Sequence, residues 1–214
     1  PKEKEDKDGK ESATASTTPP TPLPQATYVE NLTCCVCMDD LQVDCSTFSR
    51  LTCCGKAMHT HCGRDVQTSK MSQALKSRCP ECRQKVPTTD EGNVKQVRVW
   101  VDKGKPWAQT HLANKYFQGK GVPQSYEEAM NYFNMAIKQG CPNAMHGLAD
   151  MYEYGEGVAK SLETATELYA LAANQGHATA QFNLGVFYAN GKGVAQSDEK
   201  AFELFTLAAN QGHA

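Results

Sequence analysis

YEYGEGV (152–158) decides the fold, because two further versions of this stretch occur in the second half of the chain. YFQGKGV (116–122) precedes it and YANGKGV (188–194) follows it, each at an offset of 36 residues. Other residues recur at the same offset: Leu112, Leu148 and Leu184; Ala108, Ala144 and Ala180; Ala129, Ala165 and Ala201; Gly140, Gly176 and Gly212. A fixed period of this length predicts an array of repeated supersecondary units.

Each repeat contains two apolar segments with helical spacing. In the middle repeat, Leu148, Met151 and Tyr152 share one face of the first helix, and Ala165, Leu168, Tyr169 and Ala172 mark the second. The paired glycines end the first helix because they accept positive φ. Ser125, Ser161 and Ser197 follow at equivalent positions, where they are expected to cap the second helix. A helix pair this short cannot cover its own apolar face, so we expect an all-α solenoid of stacked helix-turn-helix units.

The pattern starts before the first complete repeat. VRVWVDKGKPWA (97–108) aligns with FNMAIKQGCPNA (133–144) at the same 36-residue offset. Residues 94–107 are therefore expected to form a half-repeat that caps the array, with Trp100 buried against the first full repeat. A linker with chance hydrophobic residues is the alternative.

The pattern AxxxLxxxYxxGxGVxxxxxxAxxxxxxAAxQG resembles the Sel-1-like repeat, an α/α solenoid related to tetratricopeptide repeats. The resemblance covers residues 108–143, 144–179 and 180–214. It implies a scaffold that binds a protein substrate or partner on the repeat surface. We expect the natural protein to extend beyond Ala214, and Pro1 in place of a starting Met suggests that it also extends upstream.

Composition separates the rest of the chain into a tail and a cysteine-rich module. Residues 1–27 combine mixed charges with Ser, Thr and Pro and are expected to be a disordered tail. Nine of the ten cysteines fall between Cys34 and Cys82, so residues 28–87 form a separate module, followed by a linker at 88–93. The net charge of −2 and the absence of a long apolar run predict neither nucleic-acid binding nor a membrane segment.

The cysteine spacing indicates metal ligation rather than disulfides or a catalytic thiol. Two pairs have C-x₂-C spacing, Cys34 with Cys37 and Cys79 with Cys82, and His59 and Cys62 share it. The fourth pair comes from Cys45, Cys53 and Cys54. Eight ligands in four pairs bind two Zn²⁺ ions, and separations of 15–16 residues suit an interleaved arrangement. Structural zinc would supply the stability that so small a module lacks.

This module resembles the RING finger family in CCVC (34–37), RLTCCGKAMHTHC (50–62) and CPECR (79–83). The resemblance implies a cross-braced fold and favours Cys53 and Cys54 as the fourth pair, and the alternative pair is Cys45 with either Cys53 or Cys54. Lys56 stands where the family usually has a histidine ligand. Plant-homeodomain fingers share the ligand order, but they usually carry an aromatic residue before the last pair, and none is present here.

RING resemblance implies a ubiquitin-protein ligase that positions a charged ubiquitin-conjugating enzyme and has no nucleophile of its own. Val36, Leu75 and Pro80 would form its apolar docking patch. Arg83 would hydrogen-bond ubiquitin and the conjugating enzyme, or would instead be a solvated charge that neutralises thiolates. The alternative function is a zinc-finger adaptor without ligase activity. Reduced thiolates imply an intracellular compartment, cytoplasmic or nuclear.

Overall fold

The structure is a computed structural model. It describes residues 82–212 continuously and, before them, residues 64–65, 67–69 and 77–79 together with the backbone of 48–50 and 57–59. The tail predicted at 1–27 lies outside these residues. Two short antiparallel strands come first, β1 Phe48–Arg50 and β2 Ala57–His59, with Phe48 opposite His59 and Arg50 opposite Ala57.

Residues 82–212 contain seven α-helices that build an α/α solenoid. They are α1 Asp90–Asp102, α2 Pro106–Gln118, α3 Tyr126–Ile137, α4 Pro142–Tyr154, α5 Leu162–Asn174, α6 Ala178–Asn190 and α7 Asp198–Asn210. Three complete helix pairs follow α1, and each helix packs against its neighbours in sequence. The first helices of the first two repeats also meet, since α2 contacts α4 directly. None of the described helices is long and apolar enough to cross a membrane.

The predicted serine caps of the second helices and glycine ends of the first helices are confirmed. The side chains of Ser125, Ser161 and Ser197 accept hydrogen bonds from backbone N–H groups three residues later, at the starts of α3, α5 and α7. Gly119, Gly155 and Gly191 adopt the left-handed conformation directly after α2, α4 and α6. His177 caps α6 in the same way as the serines, with Nδ1 accepting from the Ala180 N–H at 3.1 Å.

The core consists of the residues that recur at the 36-residue period. The repeated leucines Leu112, Leu148 and Leu184 are buried, as are the repeated alanines. Small alanines let the helices approach closely, and large rings on the second helices fill the remaining space. Phe133 and Tyr169 take this role in α3 and α5 and are almost completely buried.

Helix α1 covers the N-terminal end of the described array, and it begins earlier than the sequence suggests. The Thr89 side chain accepts from the Gly92 N–H at 3.1 Å, so the helix starts at Asp90, inside the stretch expected to be a linker. Val94 and Val97 are buried against α2. Trp100 packs against the first full repeat as expected, beside Trp107 with ring centroids 6.0 Å apart, but it is only partly buried.

Candidate functional site on the helical array

A groove on the described array encloses about 370 Å³. It is lined by Asn114 and Phe117 of α2, Phe133 of α3, Gly147, Asp150 and Tyr154 of α4, and Glu156 of the following turn. We call it the α2–α4 groove. Three of these seven residues are aromatic, and two carry carboxylates. Such a combination suits a ligand with an apolar stem and a polar end.

Gly147 makes room for the floor of this groove. A Cβ atom at this position would lie 2.6 Å from Cζ of Phe133, closer than real side chains approach. The equivalent positions of the neighbouring repeats carry His111 and Asn183, so glycine at this position is specific to the middle repeat. The Phe133 ring therefore rests directly against the backbone of α4.

Two carboxylates beside the groove share one phenol. The Tyr169 hydroxyl lies 2.6 Å from Asp150 Oδ1 and 2.8 Å from Glu153 Oε2. A phenol has one proton and can donate fully to one acceptor at a time. Burial raises the pKa of Asp150, and burial together with the Asp150 charge raises the pKa of Tyr169 far above its usual range. The pair therefore has more acceptor capacity than this hydroxyl can satisfy.

His146 holds Asp150 from the other side. Its Nδ1 lies 3.5 Å from Asp150 Oδ2, and the Asn183 amide donates to its Nε2 at 3.2 Å. With Nε2 accepting, Nδ1 is the ring nitrogen that can donate toward the carboxylate. The ring stacks on His177 with centroids 5.0 Å apart, which limits its rotation.

The region around Tyr154 is electrostatically negative. Tyr154 is 65% exposed, and the charge of Glu153 is the largest of the effects that raise its pKa, followed by burial, Asp150 and Glu156. Within residues 82–212, no lysine or arginine forms an ion pair with Asp150, Glu153 or Glu156. Sequence reasoning missed these residues because it treated the repeats as packing alone. The signal was present at Glu156, whose equivalents in the other repeats are Lys120 and Lys192.

Most of the predicted zinc-site and docking residues lie outside the described part of the chain. These are Cys34, Val36, Cys37, Cys53, Cys54, Cys62, Leu75 and Pro80, together with the alternative ligand Cys45. For His59, only the backbone position in β2 is described. Among the described residues, no group of three Cys, His, Asp or Glu side chains is arranged to hold a metal ion. The zinc sites therefore stay a prediction.

The last predicted ligand pair, Cys79 and Cys82, sits in a tight hairpin. Arg78 and Lys85 pair across it in an antiparallel bridge, and the Cys79 N–H donates to the Gln84 carbonyl at 2.8 Å. The Cys82 N–H points at Cys79 Sγ from 3.3 Å. Arg83 has φ +61° and donates its N–H to the Cys79 carbonyl at 3.0 Å, while its side chain is exposed. The hairpin thus turns backbone N–H donors toward the sulfur and carbonyl of Cys79.

Comparison with known proteins identifies the array. The Sel1 repeat family matches residues 108–141, 142–177 and 178–213. A Sel1 repeat protein from Oxalobacter formigenes is 36% identical and has a TM-score of 0.51, with 56% of this chain and 90% of that chain covered. The protective antigen c5321 of uropathogenic Escherichia coli is 30% identical, with a TM-score of 0.54, and the match covers 60% of this chain and 27% of that chain. No curated protein sequence matches the chain. With three family repeats folded as paired helices, the chain belongs to the Sel1 repeat family.

Proposed function

We propose that the helical array is a scaffold that binds a protein partner on the face formed by its first helices. The observation that carries this proposal is the α2–α4 groove, which has aromatic lining residues and carboxylates that pair with no lysine or arginine of residues 82–212. Exposed tyrosine is a typical anchor at protein interfaces, and Tyr154 lies at this groove with 65% of its surface exposed. Clustered carboxylates also make a nucleic acid an unfavourable partner at this surface.

Selection of displayed random peptides against the full chain tests the scaffold. Enriched peptides should bind the wild type and lose binding to Tyr154→Ala. Met135→Ala is the matched control, because Met135 is 44% exposed on α3 and does not line the groove. If no peptide is enriched, or if both variants behave alike, binding by the first-helix face is contradicted.

The cysteine-rich module supports a second candidate, a RING-type ubiquitin-protein ligase whose substrate is recruited by the array. The hairpin of Cys79 and Cys82 supports it, since one tight turn holds both predicted ligands of a C-x₂-C pair and directs the Cys82 N–H at Cys79 Sγ. In this proposal Cys34, Cys37, Cys53, Cys54, His59, Cys62, Cys79 and Cys82 hold two Zn²⁺ ions, which supply structural stability. Thiolate ligands also fit a reducing cytoplasmic or nuclear location.

In the ligase proposal the chain positions its partners and contributes no nucleophile. Val36, Leu75 and Pro80 would contact the ubiquitin-conjugating enzyme through apolar surface. The exposed side chain of Arg83 would hydrogen-bond across to ubiquitin and hold its thioester in a reactive orientation. An adaptor without ligase activity would use the same zinc-stabilised module only to bind another protein.

The rate of ubiquitin discharge from a charged conjugating enzyme onto free lysine separates ligase from adaptor. A ligase should accelerate discharge, Val36→Ala should weaken binding of the conjugating enzyme, and Arg83→Ala should slow discharge with that binding nearly intact. Lack of acceleration by zinc-loaded wild type across a broad panel of conjugating enzymes would favour the adaptor. Equal acceleration by all three proteins would remove Val36 and Arg83 from the mechanism.

A further inference from the structure

We propose that the α2–α4 groove binds a lysine or arginine side chain carried on an extended segment of the protein partner. The inference rests on the proposed scaffold function and names the chemistry that the scaffold recognises. Three properties of the groove support it: its shape, its charge and the way the middle repeat differs from its neighbours.

The lining of the groove fits the alkyl stem of a basic side chain. Phe117 and the exposed Tyr154 present aromatic carbon, and the buried Phe133 ring, seated against the backbone at Gly147, closes the floor between α2 and α4. Lysine and arginine bury their methylene groups against such surfaces while their charged ends stay near polar groups. Aromatic faces additionally attract the cationic end.

The edge of the groove supplies the complementary charge. Asp150 and Glu156 both line it, and Glu153 lies within reach of the same phenol as Asp150. Only one of those two carboxylates can accept the Tyr169 proton, and neither pairs with a lysine or arginine of residues 82–212, so a cationic head group adds donors beyond those of Tyr169 and His146. The other titratable groups that face Asp150 are His146 at 3.5 Å, which also stacks on His177, and Tyr169.

Comparison of equivalent positions shows that this charge is local to the middle repeat. Asp150 stands where the neighbouring repeats have Asn114 and Val186. Glu156 stands where they have Lys120 and Lys192, so the side-chain charge at this position is positive, negative and positive again along the three repeats. Such a pattern gives the groove one negative site flanked by positive turns, which would select for the position of a basic residue in the partner as well as for its presence.

Nuclear magnetic resonance titration of the full chain with four nine-residue peptides tests the proposal. The peptides are neutral except at the central residue, which is lysine, arginine, norleucine or glutamate. The lysine or the arginine peptide should shift the amide signals of Gly147, Asp150, Tyr154 and Glu156, and the norleucine peptide should bind at least tenfold more weakly. Norleucine keeps the alkyl stem of lysine without its charge, so this comparison isolates the charge.

Glu156→Lys is the decisive variant, since it introduces the residue that the other two repeats carry at this position. It should retain the helical circular dichroism of the wild type and weaken binding of the basic peptides at least tenfold. Lys192→Gln, at the equivalent position of the third repeat, is the control and should bind as the wild type does. Equal binding of the norleucine and lysine peptides, unchanged binding by Glu156→Lys, or no shift at the groove would overturn the proposal. Displayed peptides that need Tyr154 but no basic residue would overturn it too, while leaving the scaffold function intact.

Discussion

At the scale of single residues, positions shared by the repeats determine the fold and positions that differ determine the site. Phe133 and Tyr169 occupy equivalent positions in α3 and α5, and both are buried. Of the two, only Tyr169 has a hydroxyl, and that hydroxyl contacts Asp150 and Glu153. At this buried position the tyrosine hydroxyl therefore also hydrogen-bonds carboxylates beside the groove.

Gly157, the second glycine of the middle G-x-G turn, lies too close to Tyr126 of the preceding repeat to carry a side chain. A Cβ there would overlap Tyr126 Cβ, an atom attached directly to the backbone of α3 that cannot swing away. Gly157 also has φ +73°. Turn geometry and the close approach of two repeats therefore require glycine at the same residue.

Gly157→Ala should destabilise the array more than Gly104→Ala does. Gly104 has nearly the same φ, +71°, but a methyl group there would meet no atom within 4 Å. Alanine at Gly104 therefore costs only the backbone strain of roughly 1–2 kcal/mol. Gly157→Ala adds a clash worth roughly another 1–3 kcal/mol. Urea unfolding of both variants measures the difference, and equal costs would show that contact with Tyr126 is unimportant.

At the scale of elements, the repeat period predicts most of the helices and their caps, because each boundary depends on local chemistry. Serine caps and left-handed glycines act within four residues of the helix end that they define. The start of α1 was missed because its cap, which stands 36 residues before Ser125, is the threonine Thr89, and few other residues match around it. Trp100 is less buried than Val94 and Val97 because helical phase, rather than side-chain size, decides which residue of α1 faces α2 most directly.

Val97→Ala should therefore destabilise the contact between α1 and α2 more than Val99→Ala. Val97 has no exposed surface, whereas Val99 is 51% exposed on the same helix. Loss of buried methyl groups at Val97 should cost roughly 1.5–3 kcal/mol, and the change at Val99 should stay within about 0.5 kcal/mol. Thermal or urea unfolding measures both, and similar costs would mean that α1 does not form part of the cooperative array.

The same contact should weaken in mild acid. Burial, and then the charge of Lys115, lower the pKa of His111, whose Nε2 hydrogen-bonds Asn93 Oδ1 at 2.9 Å. The unfolded chain takes up a proton near the ordinary histidine pKa of about 6.5, while folded His111 resists it. Stability should therefore fall as the pH drops below about 6.5.

His111→Asn should reduce this pH dependence, since asparagine does not titrate. Asn183 occupies the equivalent position in the third repeat, so the fold accepts this residue. The measurement compares the change in free energy of unfolding between about pH 7.5 and about pH 5.5 for the two proteins, a range that brackets the ordinary histidine pKa. Identical changes would show that His111 does not contribute.

At the scale of the whole molecule, the sequence predicts the array better than it predicts the groove. A repeat is detectable through shared residues, and averaging over three copies strengthens that pattern. The groove depends on what one copy does differently, at Gly147 and Glu156, and on helices α2 and α4 meeting in space. A residue that differs in one copy has no evident meaning in the sequence alone. Its role becomes visible only when the packing of α2 against α4 brings such residues to the same groove.

The two parts of the chain should respond differently to removal of metal. Helices α1–α7 are packed through apolar cores with no group of metal ligands among the described residues, whereas the cysteine-rich module is expected to depend on zinc. Elemental analysis should find two zinc ions per chain. A chelator should remove both and leave most of the helical circular dichroism, because that signal comes from the array.

The ligand assignment makes the zinc prediction specific. Cys53→Ser and Cys54→Ser should each disturb the zinc site to which this pair contributes and so lower the zinc content. Cys45→Ser should leave the zinc content unchanged. Each serine keeps the size of the side chain but cannot supply a thiolate, so a loss reports ligation rather than packing. One zinc or none in the wild type would refute the pair of sites. If only Cys45→Ser loses zinc, the module still binds zinc, but Cys45 belongs to its fourth ligand pair.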